Sequence, residues 1–404
     1  MKEAEPSFSF PTVVVREGET SVVVPKLEAF VEEPGEYAPS KAPVFYNPVM
    51  ELNRDLAVLA LQAYQQTVER KISVCEPLSS CGIRGVRFAV EVEGIKRIVL
   101  NDISKEAAKL AQFNVERNNL ANRISVANED ANLLLSSYAA PRKRFDYIDV
   151  DPFGSPVPYM DSAVRALRDK GLLALTATDL APLCGVHPKA CVRKYGGRPL
   201  RTAYCHELAV RLLAGCLTMM AAKHDIGIRV VFSHSTDHYV RVYAVARYGA
   251  KRADKSVQKM GYILHCFTCL HRETSSGIFS SLKKNCPECG SGISTAGPLW
   301  LGKIFDEKLF ALMERELKRR NLRNQKAILK MLSRSRDETK VPPTYYITDK
   351  ICDKLNLPIP PLIEVMKKLR KAGFQAVPTH FSSRGIRTDA PASVVKEIIT
   401  RLVT

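Results

Sequence analysis

Apolar and polar positions recur along this chain with two periods, and the switches between them outline its elements. Residues 12–16 and 21–25 are β-branched runs on either side of Glu17-Gly18-Glu19, which predicts a hairpin. From 50 to 70, Leu52, Leu56, Leu59, Ala60 and Ala63 return at helical spacing, so this stretch is an amphipathic helix. Strands are then expected at 71–76, 97–100, 123–128, 146–150 and 171–178. Between them, residues 77–84 form a loop leading into a helix that runs through Glu91, and Ser104 is a good N-cap for the next helix. A helix at 207–223 and strands near 228–233 and 239–247 complete the set. Repeated βα units predict a doubly wound sheet.

The rest of the chain reads differently. Residues 34–48 are irregular and proline-punctuated, and the segment 178–198 reads as a long loop with a basic end. Around 250–259 the composition turns basic and polar, which suggests a domain boundary. Residues 301–332 read as one long charged helix, and 345–404 as short helices alternating with loops. Leu362, Val365, Met366 and Leu369 make one apolar stripe, a core face. Three parts follow: an N-terminal hairpin and extended segment (1–47), an α/β core (48–250) and a smaller α+β domain (251–404).

Composition narrows the class. A chain of 404 residues has room for two or three cores, and 46% hydrophobic with 25% charged residues suits a globular protein. No apolar run is expected to reach bilayer-spanning length, and the start Met1-Lys2-Glu3-Ala4-Glu5 is too polar for a signal peptide. A cytoplasmic protein without membrane contact or an obligate protein partner is the expectation. Net charge is +18, unevenly spread. Residues 1–40 hold three Lys/Arg against eight Asp/Glu, whereas residues 301–404 hold 22 against 11. A basic C-terminal quarter points to a polyanion such as RNA or DNA.

Candidate chemistry collects at the expected strand ends. Asp102 follows Val99-Leu100-Asn101, where a carboxylate can accept both ribose hydroxyls of an adenosine. Asp130, followed by Ala131, can accept from an adenine amino group. Asp151-Pro152-Phe153-Gly154 places a carboxylate, a proline carbonyl and an aromatic face at one tip, a set suited to methylating the amino group of a nucleobase. The loop Glu76-Pro77-Leu78-Ser79-Ser80-Cys81-Gly82-Ile83-Arg84-Gly85 lacks the G-x-G-x-x-G spacing for a pyrophosphate. A cofactor without phosphates, such as S-adenosyl-L-methionine, fits better than NAD. Antiparallel closing strands also suit a methyltransferase better than a dinucleotide dehydrogenase.

Two cysteine groups differ in what they imply. Cys266-x2-Cys269, sixteen residues, then Cys286-x2-Cys289 is a four-thiolate zinc spacing, structural and closed. An iron–sulfur cluster is the alternative occupant, and His265 and His271 read as bystanders. Cys184, Cys191 and Cys205 near His187 or His206 could suggest a nucleophile, but N-methylation needs no covalent enzyme intermediate.

The chain resembles the archaeal and eukaryotic tRNA (guanine-26-N2)-dimethyltransferases. The resemblance runs in order from Val44-Phe45-Tyr46-Asn47-Pro48 and Leu52-Asn53-Arg54-Asp55 through Ser80-x-x-Gly-Ile-Arg-Gly and Asp149-x-Asp-Pro-Phe-Gly-Ser. It continues through Thr176-Ala177-Thr178-Asp179, Arg193-Lys194-Tyr195, Gly297-Pro298-Leu299-Trp300 and Gly385-Ile386-Arg387-Thr388-Asp389. Glu76 departs from the family's usual Asp but keeps the carboxylate. The resemblance implies a Rossmann-like class I methyltransferase core with a smaller basic, zinc-containing C-terminal domain that binds tRNA. It implies Arg54 and Arg84 as contacts to the cofactor's carboxylate, Asp102 on the ribose, and Asp130 with Ala131 on the adenine. Asp151 with Pro152 would be catalytic, and Phe45 and Phe153 would sandwich the guanine. The rivals are a non-catalytic RNA-binding protein on a methyltransferase-like core, and the same chemistry on another RNA position or on DNA adenine.

Overall fold

The computed structural model describes residues 8–31, 38–279 and 281–404. Part of the irregular stretch expected at 34–48, namely 34–37, lies outside them. Two compact units divide the chain. The first is Met1–Asp151 with Arg165–Arg168 and Leu312–Ile328; the second is Pro152–Val164, Asp169–Ala311 and Leu329–Thr404.

In the first unit the hairpin is present as β1 (Thr12–Glu17) and β2 (Thr20–Pro25), antiparallel in register Thr12↔Pro25. Helix α1 (Glu51–Val68) follows. Then come β3 (Ile72–Glu76), α2 (Ile83–Glu91), β4 (Ile95–Asn101), α3 (Lys105–Arg117), β5 (Ile124–Ala127), α4 (Ala131–Ser137) and β6 (Phe145–Val150). The four strands after the hairpin are parallel, in the order β5-β4-β3-β6. β3 and β6 are buried at every residue, as strands covered on both faces must be. Their carboxyl ends therefore leave the sheet along one edge, where Glu76, Asp102 and Asp151 emerge.

Hydrogen bonds from side chains hold this edge together. Asn114 of α3 clasps Val23 of the hairpin, accepting from its amide (2.7 Å) and donating to its carbonyl (2.9 Å), and donates also to the Cys81 carbonyl (2.9 Å). Buried Asn101 donates to the carbonyls of Pro77 and Glu129 and accepts from the Glu129 amide, so the loops after β3 and β5 share one anchor.

The second unit carries most of α5 (Val157–Ala166) and of β7 (Leu167–Ala177), then α6 (Leu180–Leu183), α7 (Pro188–Tyr195), α8 (Cys205–Ala222), β8 (Ile226–Thr236), β9 (Tyr239–Tyr248) and α9 (Ala250–Val257). Strands β7, β9 and β8 are antiparallel, the closing group that the sequence suggests. Two expectations need correcting. The segment 178–198 holds α6 and α7 rather than one long loop, with Pro188 at the first turn of α7 and Gly196 ending it. Helix α8 is long and apolar enough to cross a membrane by composition, contrary to the expectation of no such run. It is mostly buried, packing on β8 and β12, as a core helix does.

Beyond these lie β10 (Met260–His265), β11 (Arg272–Ser276) and β12 (Ser294–Trp300), an antiparallel sheet with β10 in the middle. The expected single helix at 301–332 is two, α10 (Glu307–Arg319) and α11 (Gln325–Asp337). Asp306 caps the first through the Leu309 amide (3.0 Å), and Asn321 and Asn324 punctuate the break. The chain ends in β13 (Tyr346–Ile347), α12 (Thr348–Leu355), α13 (Leu362–Lys371), β14 (Ala376–Pro378), β15 (Gly385–Thr388) and α14 (Ala392–Val403). Val365 and Leu369 enter the buried cluster with Met366 and Leu362 packed against it, so the stripe is core as expected.

Candidate active site

Arg84 stands at the centre of the carboxyl edge in the first unit. Gly82, in the left-handed conformation (φ 75°), turns the chain into α2 and puts Arg84 in its first turn. The guanidinium donates to Asn53 Oδ1 of α1 (2.8 Å) and pairs with Glu76 (3.1 Å), Asp149 (3.6 Å) and Asp151. One cation thus serves three carboxylates. Burial pushes the Glu76 carboxyl up to about 8 despite Arg84, with Asp149 and Asp151 adding repulsion. Asp149 is held from the other side by the Tyr147 hydroxyl (2.6 Å). Asp151 alone of the three keeps appreciable solvent exposure, 18% of its side chain, so it is the one a substrate can reach.

Arg54 is placed differently. Its fork meets Glu17 of the hairpin (Nε to Oε2 2.7 Å, Nη2 to Oε1 2.6 Å), and it also donates to the Asn47 carbonyl (3.0 Å). Tyr46 donates to the same Glu17 (2.9 Å), and Arg87 lies 3.6 Å away. Desolvation of Glu17 is outweighed by the cations beside it, which hold its carboxyl below the usual range.

Asp102 accepts from the Ser80 amide (2.9 Å) and the Ser104 amide (2.9 Å). A carboxylate has about four lone-pair sites, so capacity for hydroxyl donors remains. Asp130 caps α4 through the amides of Asn132 (2.8 Å) and Leu133 (3.0 Å), and Ala131 behind it is buried. Phe45 is half-buried, and its carbonyl accepts from the Ser80 hydroxyl (2.6 Å), which ties it to the loop after β3. Two residues that sequence reasoning passes over sit at the same edge: Ile103 and Leu133, 70% and 62% exposed. The available signal is a large apolar residue directly after Asp102 and another at the start of α4.

In the second unit, Pro152 is buried and Phe153 is 70% exposed. The tip is tied to the end of β7, for Gly154 donates to Thr178 Oγ1 (2.7 Å) and accepts from the Thr178 amide (2.9 Å). Asp179 is gripped by Lys194 (3.0 Å) and Tyr195 of α7. Helix α7 turns Lys189 and Arg193 outward, and Arg198 and Arg201 beyond it are also exposed, a basic surface.

The same unit holds the four-cysteine group. Cys266 and Cys286 each begin a tight turn: Leu270 donates to the Cys266 carbonyl (2.9 Å), and Gly290 donates to that of Cys286 (2.9 Å). All four sulfurs lie within 4.8 Å of one another, Cys266 to Cys289 at 3.5 Å and Cys269 to Cys286 at 3.4 Å. Tetrahedral zinc with Zn–S of about 2.3 Å separates its sulfurs by about 3.8 Å, so one mononuclear ion fits. His271 is engaged by Glu288 (3.0 Å), and His265 stacks edge-on against Tyr204 and Phe267, so neither is a ligand.

A strand edge with Asp102, Asp130 and Asp151 in sequence, a four-thiol centre and a basic surface agree with one family. The model of the N2,N2-dimethylguanosine tRNA methyltransferase family matches residues 18–400. The chain belongs to this family. It is similar, at 42% identity over 388 residues, to the tRNA (guanine(26)-N(2))-dimethyltransferase of Methanobrevibacter smithii, covering 96% of this chain and 97% of that one. A relative from Aquifex aeolicus, a tRNA (guanine(26)-N(2)/guanine(27)-N(2))-dimethyltransferase, is 36% identical over 384 residues, 93% of each chain. Trm1 of Pyrococcus horikoshii, solved with S-adenosyl-L-methionine, superposes with a TM-score of 0.83 at 36% identity and covers 96% of this chain and 99% of its own. The Rossmann-like methyltransferase fold expected from the family's motifs is therefore this chain's fold.

Proposed function

We propose that this enzyme transfers methyl groups from S-adenosyl-L-methionine to the exocyclic N2 of guanine 26 in tRNA, giving N2-methyl- and N2,N2-dimethylguanosine. The observation that carries the reading is Asp151, partly exposed at the end of β6 and held by Arg84, within a chain that matches this family over nearly its whole length. The cofactor supplies an activated methyl group on a sulfonium.

What the chain's own residues do follows from their chemistry. Phe45 and Phe153 are the flat faces that the family's motifs assign to a guanine that has left its stack. The exocyclic amine donates to Asp151 and to the Pro152 carbonyl, which turns the nitrogen lone pair toward the methyl. Asp151 then accepts the amine proton. Arg84, paired with the carboxylate, orients it for that task. Asp102 and Asp130 receive the ribose and adenine, with Ala131 beneath and the exposed Ile103 and Leu133 as apolar walls. Arg84 and Arg54 contact the cofactor's carboxylate; Arg54 does so only by releasing Glu17, which now fills its fork. Cys266, Cys269, Cys286 and Cys289 would hold a structural zinc ion.

The basic domain from 251 onward, and the cations of α7, are the tRNA-binding surface in this reading, and the cytoplasm is where it acts. The test is incubation with methyl-labelled S-adenosyl-L-methionine and an unmodified tRNA transcript, followed by nuclease digestion and mass spectrometry. N2,N2-dimethylguanosine at position 26 is expected. Methylation at 27 as well would extend the reading toward the Aquifex relative's activity. No methylated guanine despite cofactor binding would favour the non-catalytic rival.

A further inference from the structure

Cys184 closes α6, its amide donating to the Leu180 carbonyl (2.7 Å). The next residue, Gly185, is left-handed (φ 88°) and pressed against another stretch of chain: a Cβ there would lie 2.7 Å from the Arg201 nitrogen and 2.9 Å from the Leu200 carbonyl carbon. Only glycine allows both the conformation and the approach. That approach brings Cys184 beside the start of α8, whose first two residues are Cys205 and His206. The two sulfurs and a ring nitrogen of His206 all lie within 4.8 Å of one another. All three residues are half-buried, so an ion can reach them from solvent.

The donors are two thiols and an imidazole, a set that suits zinc. Bond lengths of about 2.3 Å to sulfur and about 2.0–2.1 Å to nitrogen require donor separations of about 3.5–3.8 Å, which lie inside the 4.8 Å within which these three donors are gathered. The 18-residue helix α8 begins here, so two of the three donors stand on its first turn. Amine methylation gives these thiols no chemical task.

We propose that Cys184, Cys205 and His206 bind a second zinc ion, separate from the four-cysteine centre, with water in the fourth position. The ion ties together the two ends of residues 185–204, the excursion that carries α7 and its exposed Lys189 and Arg193. A clip closing such a loop removes conformational freedom from the chain. Its task is to hold the basic surface in place.

The test uses the full chain, purified without chelator. Elemental analysis should find two zinc equivalents per chain, falling to one in Cys184→Ser and in Cys205→Ser. Alkylation of the native wild-type protein with N-ethylmaleimide, mapped by mass spectrometry, should spare Cys184 and Cys205 until a chelator is added. This second measurement needs no variant and so does not depend on folding of a mutant. One zinc equivalent in the wild type, unchanged in Cys184→Ser, would overturn the proposal. So would alkylation of both thiols in zinc-loaded protein, or a disulfide joining them.

Discussion

Arg84 explains how three acidic groups share one edge. It is 7% exposed and meets Asn53, Glu76, Asp149 and Asp151 at once, so the local charge would be −2 if every carboxyl were ionised. Protonation of Glu76 relieves this; burial first, and then repulsion from Asp149 and Asp151, raises its carboxyl to about 8 from an ordinary 4.5. A raised value means that the folded state binds the proton more tightly than the unfolded chain does. The stabilisation is full below pH 4.5 and disappears as pH rises through about 8. Relative to Glu76→Gln, the wild type should therefore lose stability between pH 5 and pH 9; parallel urea midpoints across that range would refute the assignment. Asp151→Asn keeps the shape but removes the proposed proton acceptor. Turnover should drop about 10²–10⁴-fold with cofactor affinity nearly unchanged, measured by single-turnover methyl transfer and calorimetry. Near-full turnover would take Asp151 out of the mechanism.

At the scale of elements, α8 is the axis of the second unit. Glu207 in its first turn takes both arms of Arg387 from β15 (2.9 and 2.8 Å), pairs with Arg211 one turn on (2.9 Å) and accepts from the Thr344 amide (3.1 Å). Complete burial alone would raise the Glu207 carboxyl, but Arg387 and Arg211 hold it down at about 2. A lowered value gives stability that is present above pH 4.5 and is lost as pH falls toward 2, so acid should open this unit. Arg387→Met leaves Glu207 short of its main partner in a dry site, and a loss of about 3–5 kcal/mol is expected in denaturant titration. A change under about 1 kcal/mol would mean that Arg211 suffices. Helix α7 makes a surface prediction. Lys189→Glu with Arg193→Glu should weaken tRNA binding and lower its salt slope by roughly 0.7–0.9 for each phosphate left unneutralised, read from affinities at several salt concentrations. An unchanged slope would place the tRNA elsewhere.

For the whole molecule, the four-cysteine group and the residues proposed to hold the cofactor lie in different units. Cys266, Cys269, Cys286 and Cys289 lie in the second, whereas Arg54, Arg84, Asp102 and Asp130 lie in the first. Chelation should therefore lower the melting temperature and raise hydrogen exchange in β10–β12, while calorimetric affinity for S-adenosyl-L-methionine stays within about twofold. A parallel collapse of cofactor binding would show that the zinc segment supports the first unit as well.

What can be read from the chain alone is whatever repeats or clusters locally. Alternation and helical spacing locate β3 to β9 in order, because burial of one face imposes its period on neighbouring residues. Cys-x2-Cys pairs and Asp-Pro-Phe-Gly are legible because their ligands or tools are adjacent in sequence. The split at Arg320–Asn324 is hidden, since flanking charges continue the helical pattern across it. Helix α7 escapes notice because it is eight residues long and mostly polar. Tertiary structure alone decides that Arg54 faces Glu17, that Arg84 joins Asn53 to Asp151, and that Cys184 meets Cys205 and His206. Partners 21 to 67 residues apart leave no period and no spacing to read, and only the packing of sheet, helices and a glycine-permitted close approach brings them together.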